Sequence, residues 1–222
     1  MNINWGIISI IIANFSLVPA CIGIMKIKLI PKELKYFVYL LWIYFFVEFL
    51  GSWFLLFRVS KYNCILSNIF VLFDFIYLYI MLNFWNKKGL SKIDYFVISI
   101  IVLGWTYENL IFSSLNITNS GFRIIYPVFI LIKAIEHIYK VTSITRSKLF
   151  SNSNFITAST LILFYSYKVI YESIYYFNLN LNPNENIYVY IVLLGINLIS
   201  YLLYTIAVLC MRNKIQLNTS YY

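Results

Sequence analysis

Ionisable side chains lie at eight positions within or beside the long apolar runs of this 222-residue chain. A charged group inside a lipid bilayer is costly, so each one is a candidate for ligand binding, ion passage or acid–base chemistry. Alternatively, they form ion pairs between helices that fix the structure and bind nothing. The eight residues are Glu48, Asp74, Glu108, Lys133, Glu136, His137, Lys168 and Glu172.

Two groups of these side chains have the spacing of a single helix face. Lys168 and Glu172 are four residues apart, so they are predicted to neutralise each other across one helical turn. Lys133, Glu136 and His137 also fall on one helix face, because residues three and four apart are neighbours on a helix.

The functional interpretation of these charges is an outward-facing polar pocket among the second, fourth and sixth apolar runs. Its predicted ligand-binding residues are Glu48, Glu108, Lys168, Glu172, Trp105 and Tyr165. Three acids and one lysine favour a cationic or hydrogen-bonding ligand. Further polar residues are expected deeper in the membrane, with Asp74 and Lys133 near its middle: Asp74, Lys133, Glu136, His137, Asn68 and Asn197. The two asparagines are expected to form hydrogen bonds between helices.

The elements that position these groups are predicted to be membrane helices. The chain is 62% hydrophobic and only 11% charged, whereas soluble domains carry about 25% charged residues. Seven apolar runs approach the length of about 20 residues that a helix needs to cross a bilayer: 5–25, 36–57, 64–85, 95–115, 122–139, 155–177 and 188–211. The predicted fold is all-α, a single seven-helix membrane domain over residues 1–215 with a short cytoplasmic tail at 216–222.

The distribution of positive charge predicts the orientation of this bundle. Twelve lysines and arginines lie on one side of the predicted membrane: Lys26, Lys28, Lys32, Lys35, Lys87, Lys88, Lys92, Lys140, Arg146, Lys148, Arg212 and Lys214. The other side has only Arg58, Lys61 and Arg123. The positive-inside rule therefore places the N-terminus outside and the C-terminus in the cytoplasm. The net charge of +9 has the same origin, so nucleic acid is not an expected partner.

Several kinds of chemistry lack the residues that they need. His137 is the only histidine in the sequence, which excludes a multi-histidine zinc hydrolase. The three cysteines, Cys21, Cys64 and Cys210, have no metal-ligand spacing. No serine-elbow, P-loop or C-x-x-C motif occurs. We therefore expect no enzyme, no catalytic residue, no metal site and no cofactor.

Loose motifs across nearly the whole chain carry a family resemblance. They are the run from Pro19 to Gly23 with Lys26, Lys28, Leu34 and Lys35 behind it, Glu48, Asn68, Asp74, and the stretch from Tyr126 and Pro127 to Glu136. In these motifs the chain resembles a group of small seven-helix inner-membrane proteins of low-GC Gram-negative bacteria. The resemblance implies a sensory partner of histidine kinases and supplies no ligand. The chain departs from the group at Asp74, where glutamate is expected, and in its Lys168 and Glu172.

The predicted function is a non-enzymatic signalling or sensor module in the bacterial inner membrane. It would pass an extracytoplasmic signal, carried by a small ligand, to a partner protein at its basic cytoplasmic loops, which are too short to act as effectors. A second hypothesis is a small-solute transporter or channel, with Asp74 and Lys133 near the midplane. A third is a lipid-modifying enzyme that uses Glu108 or Glu172 as acid or base, and a fourth is an accessory membrane component of a defence or secretion system.

Overall fold

The computed structural model describes residues 5–86, 89–144, 149–177, 179 and 181–211. These residues contain no strand, so the all-α prediction is confirmed. The helices are α1 (Trp5–Asn14), α2 (Leu17–Met25), α3 (Lys32–Leu56), α4 (Ser60–Trp85), α5 (Lys92–Thr106), α6 (Ser120–Ile144), α7 (Ser153–Tyr176) and α8 (Pro183–Leu209). A π-helical segment, Tyr107–Phe112, extends α5, and a 3-10 turn, Leu149–Ser151, precedes α7.

Some of the predictions concern residues that lie outside the described part of the chain. The predicted tail at 216–222 is one of these. Half of the twelve basic residues that predict the orientation are also outside it: Lys87, Lys88, Arg146, Lys148, Arg212 and Lys214.

Within the described part of the chain, five helical units are long and apolar enough to cross a membrane: Trp5–Met25, Lys32–Leu56, Ser60–Trp85, Lys92–Phe112 and Glu185–Leu209. The two remaining long helices, α6 and α7, have 25 and 24 residues but are the least hydrophobic. They pack extensively on each other, so their polar side chains are shielded by neighbouring helices. These observations indicate a membrane protein whose polar helices are partly enclosed by apolar ones.

The outer surface of α5 shows the apolar pattern expected of contact with lipid. Large exposed side chains recur every three or four residues along it and into the π-helical segment: Ile93, Phe96, Ile100, Leu103 and Tyr107. Ile93 is 73% exposed and Leu103 is 67% exposed. A continuous apolar stripe of this length on a helix surface marks a face that is buried against another phase or partner.

The first apolar run is broken into α1 and α2 rather than forming the single predicted helix. Pro19 lies in the first turn of α2 and has no N–H to donate to the carbonyl group of Phe15. The N–H of Val18 instead donates to the Phe15 carbonyl at 3.1 Å, in a tighter turn. The break therefore follows from the proline.

Consecutive helical units run in opposite directions. At one end of the bundle, Lys26 Nζ donates to the carbonyl oxygen of Leu209 at 3.1 Å, so the end of α2 lies beside the end of α8. At the same end, Trp85 Nε1 donates to the carbonyl oxygen of Glu33 at 2.9 Å, which joins the end of α4 to the start of α3. We call this end, with the lysine-rich turn between α2 and α3, the basic end.

A closely packed apolar core fills the half of the bundle toward the basic end. Phe37, Leu78 and Leu82 are fully buried there. α2 and α3 approach each other closely, because a Cβ added at Gly23 would lie 2.7 Å from Cγ1 of Val38. Small residues allow helix backbones to come this near in membrane bundles.

Candidate ligand cavity

A cavity of about 280 Å³ lies among α3, α4, α6, α7 and α8. Near the end opposite the basic end, Asn63 and Arg123 line it from the first turns of α4 and α6. Asp74 lines it eleven residues beyond Asn63, which places the two about 16 Å apart along α4. The cavity therefore reaches from that end to the middle of the bundle.

Asp74, at the floor of the cavity, is held by three tyrosine hydroxyl groups. Tyr44 donates to Oδ1 at 2.7 Å, Tyr126 donates to Oδ2 at 3.3 Å, and Tyr165 also donates to Oδ2. Asp74 is only 2% exposed, so these hydrogen bonds replace the water that a carboxylate needs. Because the donors belong to α3, α6 and α7, Asp74 of α4 fixes four helices relative to one another.

Lys168 of α7 lies directly beside this network. Its ammonium group donates to the hydroxyl oxygen of Tyr126 at 2.5 Å and lies 5.1 Å from the centroid of that ring. It also lies 5.6 Å from the ring centroid of Phe164 and 5.7 Å from that of Tyr165. The Tyr126 hydroxyl accepts from Lys168 and donates to Asp74, so one phenol connects the two opposite charges.

Arg123 forms a second charged cluster nearer the mouth of the cavity. Its Nη2 donates to Ser67 Oγ at 2.7 Å and to Asn68 Oδ1 at 3.0 Å, and its Nη1 lies 3.6 Å from Glu172 Oε1. Glu172 is therefore in direct contact with Arg123 and not with its predicted partner Lys168, which acts on Glu172 only at longer range. Side chains on a helix tilt toward its N-terminus, which carries the Lys168 ammonium toward the floor and away from Glu172.

Glu48 of α3 lines the same cavity without a direct partner. No hydrogen bond, and no ion pair within 4 Å, joins its carboxylate to any residue that the structure describes. Lys168 acts on it electrostatically, as it also does on Asp74 and Glu172. The five charged side chains of the lining are three acids and two bases, so one negative charge is in excess.

Four of the six residues predicted to bind a ligand line this cavity: Glu48, Tyr165, Lys168 and Glu172. The other two lie elsewhere, and no described residue of α5 contributes to the lining. Trp105 Nε1 donates to the carbonyl oxygen of Asn68 at 2.8 Å. The carboxylate of Glu108 accepts from the backbone N–H groups of Gly121 at 2.9 Å and Phe122 at 2.5 Å. Glu108 therefore caps the N-terminus of α6, where a negative charge is stabilising.

Two of the residues predicted to lie deeper in the membrane, Asp74 and Asn197, line the cavity. Asn68 lies outside it and connects three segments. Its Nδ2 donates to the carbonyl oxygens of Leu115 at 3.1 Å and Ile117 at 2.7 Å, while its Oδ1 accepts from Arg123. Asn68 thus holds the connection between α5 and α6 against α4.

Lys133 was predicted to lie near the middle of the membrane. In the structure its ammonium group instead lies at the level of the helix ends on the basic side. Its ammonium donates to Asn83 Oδ1 and to Asp94 Oδ1, both at 2.9 Å. Asn83 lies in the last turn of α4 and Asp94 in the first turn of α5. The position of Lys133 midway along α6 concealed this, because the flexible lysine side chain reaches a partner on another helix.

The neighbours of Lys133 on α6 also lie toward the basic end. His137 Nδ1 shares a hydrogen bond with Asn86 Oδ1 at 2.9 Å. The carboxylate of Glu136 lies 3.3 Å from the ammonium of Lys140 and 3.9 Å from that of Lys133. This group is separated from the cavity by the apolar core.

Two important residues were missed as site candidates although the sequence contains a signal for each. Arg123 was counted only as a basic residue of the outer side, but it continues the buried face of α6, which recurs every three or four residues: Arg123, Tyr126, Ile130, Ala134 and His137. Asp94 forms a capping box with Ser91, whose spacing of three residues is readable from the sequence. Reading Arg123 as part of that face would have placed a positive charge inside the bundle.

The chemistry available in this cavity is recognition by charge, hydrogen bonds and aromatic rings. Within the described residues, no group of three or more histidine, cysteine, aspartate or glutamate side chains could hold a metal ion. Comparison with models of known protein families found no match, and comparisons with curated proteins and with solved structures found no significant match. The function therefore has to be argued from the chemistry of the cavity.

Proposed function

We propose that this chain is a membrane receptor module that binds a small solute in the cavity and signals to a partner protein. The observation that supports this function best is that the charged cavity is closed at its floor. Tyr204 lines the floor, and its ring packs on the ring of Phe37 with a centroid distance of 5.2 Å. Leu78 and Leu82, both fully buried, fill the core beyond it. A cavity that is closed toward the basic end suits binding and release at the opposite end.

The proposed topology has all seven helical units crossing the bacterial inner membrane, with the basic end in the cytoplasm. The positive-inside rule supports this orientation. The alternating helix directions and the inward-facing polar groups of α6 and α7 support the count, because buried polar side chains allow a less apolar helix to cross within a bundle. In this orientation the mouth of the cavity is extracytoplasmic.

The proposed signalling path starts at the hydrogen bonds of Asp74. Solute that contacts Lys168 or the tyrosine hydroxyls would alter the packing among α3, α4, α6 and α7. α6 continues from Tyr126 to Lys133 and on to Lys140 at the basic end, so a shift of this helix would reach the cytoplasmic surface. The partner would bind the basic turns there, and the sequence resemblance suggests a histidine kinase.

A small-solute transporter is the second candidate function. It is favoured by the position of Asp74 halfway along α4, since transporter sites lie near the bilayer midplane. Transport would require Tyr204 and Phe37 to separate. An enzyme that acts on lipid has less support, because Glu108 caps α6 and Glu172 pairs with Arg123.

A solute screen with a blocked cavity tests the proposal. Gly51 lines the cavity, whereas a Cβ added at Gly195 would meet nothing within 4 Å. The thermal unfolding midpoint of protein in lipid nanodiscs would be measured with a panel of small polar solutes. We expect some solutes to raise it in the wild type and in Gly195→Leu but not in Gly51→Leu.

The same solutes distinguish the receptor from the transporter. Proteoliposomes loaded with buffer would be incubated with each stabilising solute, and its uptake measured. A receptor predicts binding without uptake, whereas uptake that is lost in Gly51→Leu would establish transport. If no solute is sensitive to Gly51→Leu, the cavity is not a binding site and the proposed function is wrong.

A further inference from the structure

We infer that the ligand of this cavity is a small organic monocation, an ammonium ion with a compact apolar body, whose charge is bound at Glu48. This inference rests on the proposed function, because it assigns the ligand class of the same cavity. It depends on the charges of the lining, the nature of its walls and its volume.

The charges of the lining leave one carboxylate without a dedicated partner. Glu172 is paired with Arg123 at 3.6 Å. Asp74 is hydrogen-bonded by three tyrosines and connected through one of them to Lys168. The single ammonium of Lys168 cannot neutralise Asp74 and Glu48 together. A cation beside Glu48 would complete the charge balance of the cavity, which is favourable where water is scarce.

Aromatic rings make up much of the cavity wall around these charges. They are Tyr44, Phe70, Phe164, Tyr165, Tyr171 and Tyr201. The faces of such rings attract ammonium groups and also pack well against methyl and methylene groups. Lys168 shows that this wall accepts an ammonium ion, because its own charged group already lies near two of these rings, those of Phe164 and Tyr165.

The same groups disfavour other classes of ligand. An anion would be repelled by the carboxylate of Glu48. Arg123 could not compensate, because both of its terminal nitrogens already contact Ser67, Asn68 and Glu172. A sugar would find polar groups in the lining, such as Asn63, Asn197 and Ser200, but its hydroxyl groups would not balance the excess negative charge of the cavity. A cation is therefore the ligand class that both meets the free carboxylate of Glu48 and balances the charge of the lining.

The volume of the cavity limits the size of the cation. At about 280 Å³ it lies just below the range of roughly 300–1,000 Å³ typical of pockets for drug-sized ligands. A compact ammonium ion of the size of choline fits this space better than a polyamine or a peptide.

The test compares probes that have the same shape and different charge. Choline and tetramethylammonium are the cationic probes, 3,3-dimethylbutan-1-ol is the neutral isostere of choline, and 3,3-dimethylbutanoate is an anionic analogue. Binding to the full-length protein in nanodiscs is measured by calorimetry and by the thermal unfolding midpoint at constant ionic strength. The variant is Glu48→Gln, and the matched control is Glu33→Gln, an exposed glutamate at the basic end.

We expect the cations to bind the wild type and Glu33→Gln, and the neutral isostere to bind at least about tenfold more weakly. Glu48→Gln should weaken binding of the cations by about 10- to 100-fold, because it removes the charge and keeps the shape. Without probes, Glu48→Gln should unfold at the same temperature as the wild type or higher, since it removes a half-buried charge that has no direct partner.

Other results would overturn the inference in distinguishable ways. If the neutral isostere binds as well as choline, or the cations bind Glu48→Gln normally, the ligand is not recognised by its positive charge. If Gly51→Leu abolishes the binding of these probes, the cavity remains a receptor site and only the ligand class is wrong. If folded wild-type protein binds no cation at all, the ligand class is again wrong, and the solute screen decides separately whether the cavity binds anything.

Discussion

Replacement of Arg123 by methionine should destabilise the bundle strongly, because it removes the partner of a buried carboxylate. Arg123 and Glu172 are 8% and 6% exposed and lie 3.6 Å apart. Breaking a buried ion pair from one side costs about 3–5 kcal/mol. The distance is longer than in an ideal pair, which favours the lower part of this range, but hydrogen bonds to Ser67 and Asn68 are lost as well. We expect Arg123→Met to cost about 3–5 kcal/mol in total.

The double variant Arg123→Met with Glu172→Leu should be more stable than the sum of the single changes predicts. Removing both charges leaves no unpaired carboxylate, so we expect a coupling of about 1–3 kcal/mol. The assay is unfolding by sodium dodecyl sulfate in mixed micelles, followed by tryptophan fluorescence. Arg58→Met is the control, because Arg58 is exposed and its effect should simply add to that of Glu172→Leu. Additive effects of Arg123→Met and Glu172→Leu would refute the assignment of this pair, and a larger coupling between Lys168 and Glu172 would restore the pairing predicted from the sequence.

Three further changes test other parts of the structure by the same unfolding assay. Gly23→Ala should lower the free energy of unfolding by about 1–3 kcal/mol, because it forces a Cβ against α3. Gly104→Ala is the control, because a Cβ there would meet nothing within 4 Å, and it should be neutral or slightly stabilising. Equal effects of the two changes would contradict the close approach of α2 and α3. Tyr165→Phe removes one donor from Asp74 and should cost about 1–2 kcal/mol; an unchanged midpoint would mean that Asp74 does not need this hydroxyl. Arg58 has a φ of 56° in the turn after α3, a backbone conformation that suits glycine and disfavours β-branched residues. Arg58→Val should therefore lower the free energy of unfolding by about 1–2 kcal/mol, whereas Arg58→Gly should be tolerated. A variant with valine that is more stable than the variant with glycine would contradict this backbone conformation.

The helices could be predicted from the sequence because the period and length of the apolar runs are local signals. Each of the seven predicted runs is helical in the structure, and its ends differ by at most five residues. The third run was predicted over 64–85, and α4 spans Ser60–Trp85. Some helices begin before their apolar runs, because a polar capping residue stabilises an additional first turn. Asn182 does this at the start of α8.

The cavity could be predicted only in part, because a single sequence does not show which helix faces meet. Glu48, Lys168 and Glu172 were identified from the rarity of charges in apolar runs. Glu108 met the same criterion and has a different role. It lies in the π-helical segment after Tyr107, where the wider turn shifts the register of the side chains. Arg123 was missed because it lies at the start of its predicted run, where a basic residue was read only as a sign of orientation.

Cysteine accessibility tests whether the cavity opens on the extracytoplasmic side and is closed at Asp74. Glu48→Cys and Leu82→Cys would each be made in a background in which the three native cysteines are serine. Intact cells and inverted membranes are then treated with a membrane-impermeant methanethiosulfonate. We expect labelling of position 48 in intact cells only and no labelling of position 82 from either side. Labelling of position 48 from the cytoplasmic side would contradict the orientation, and labelling of position 82 would contradict the closed floor.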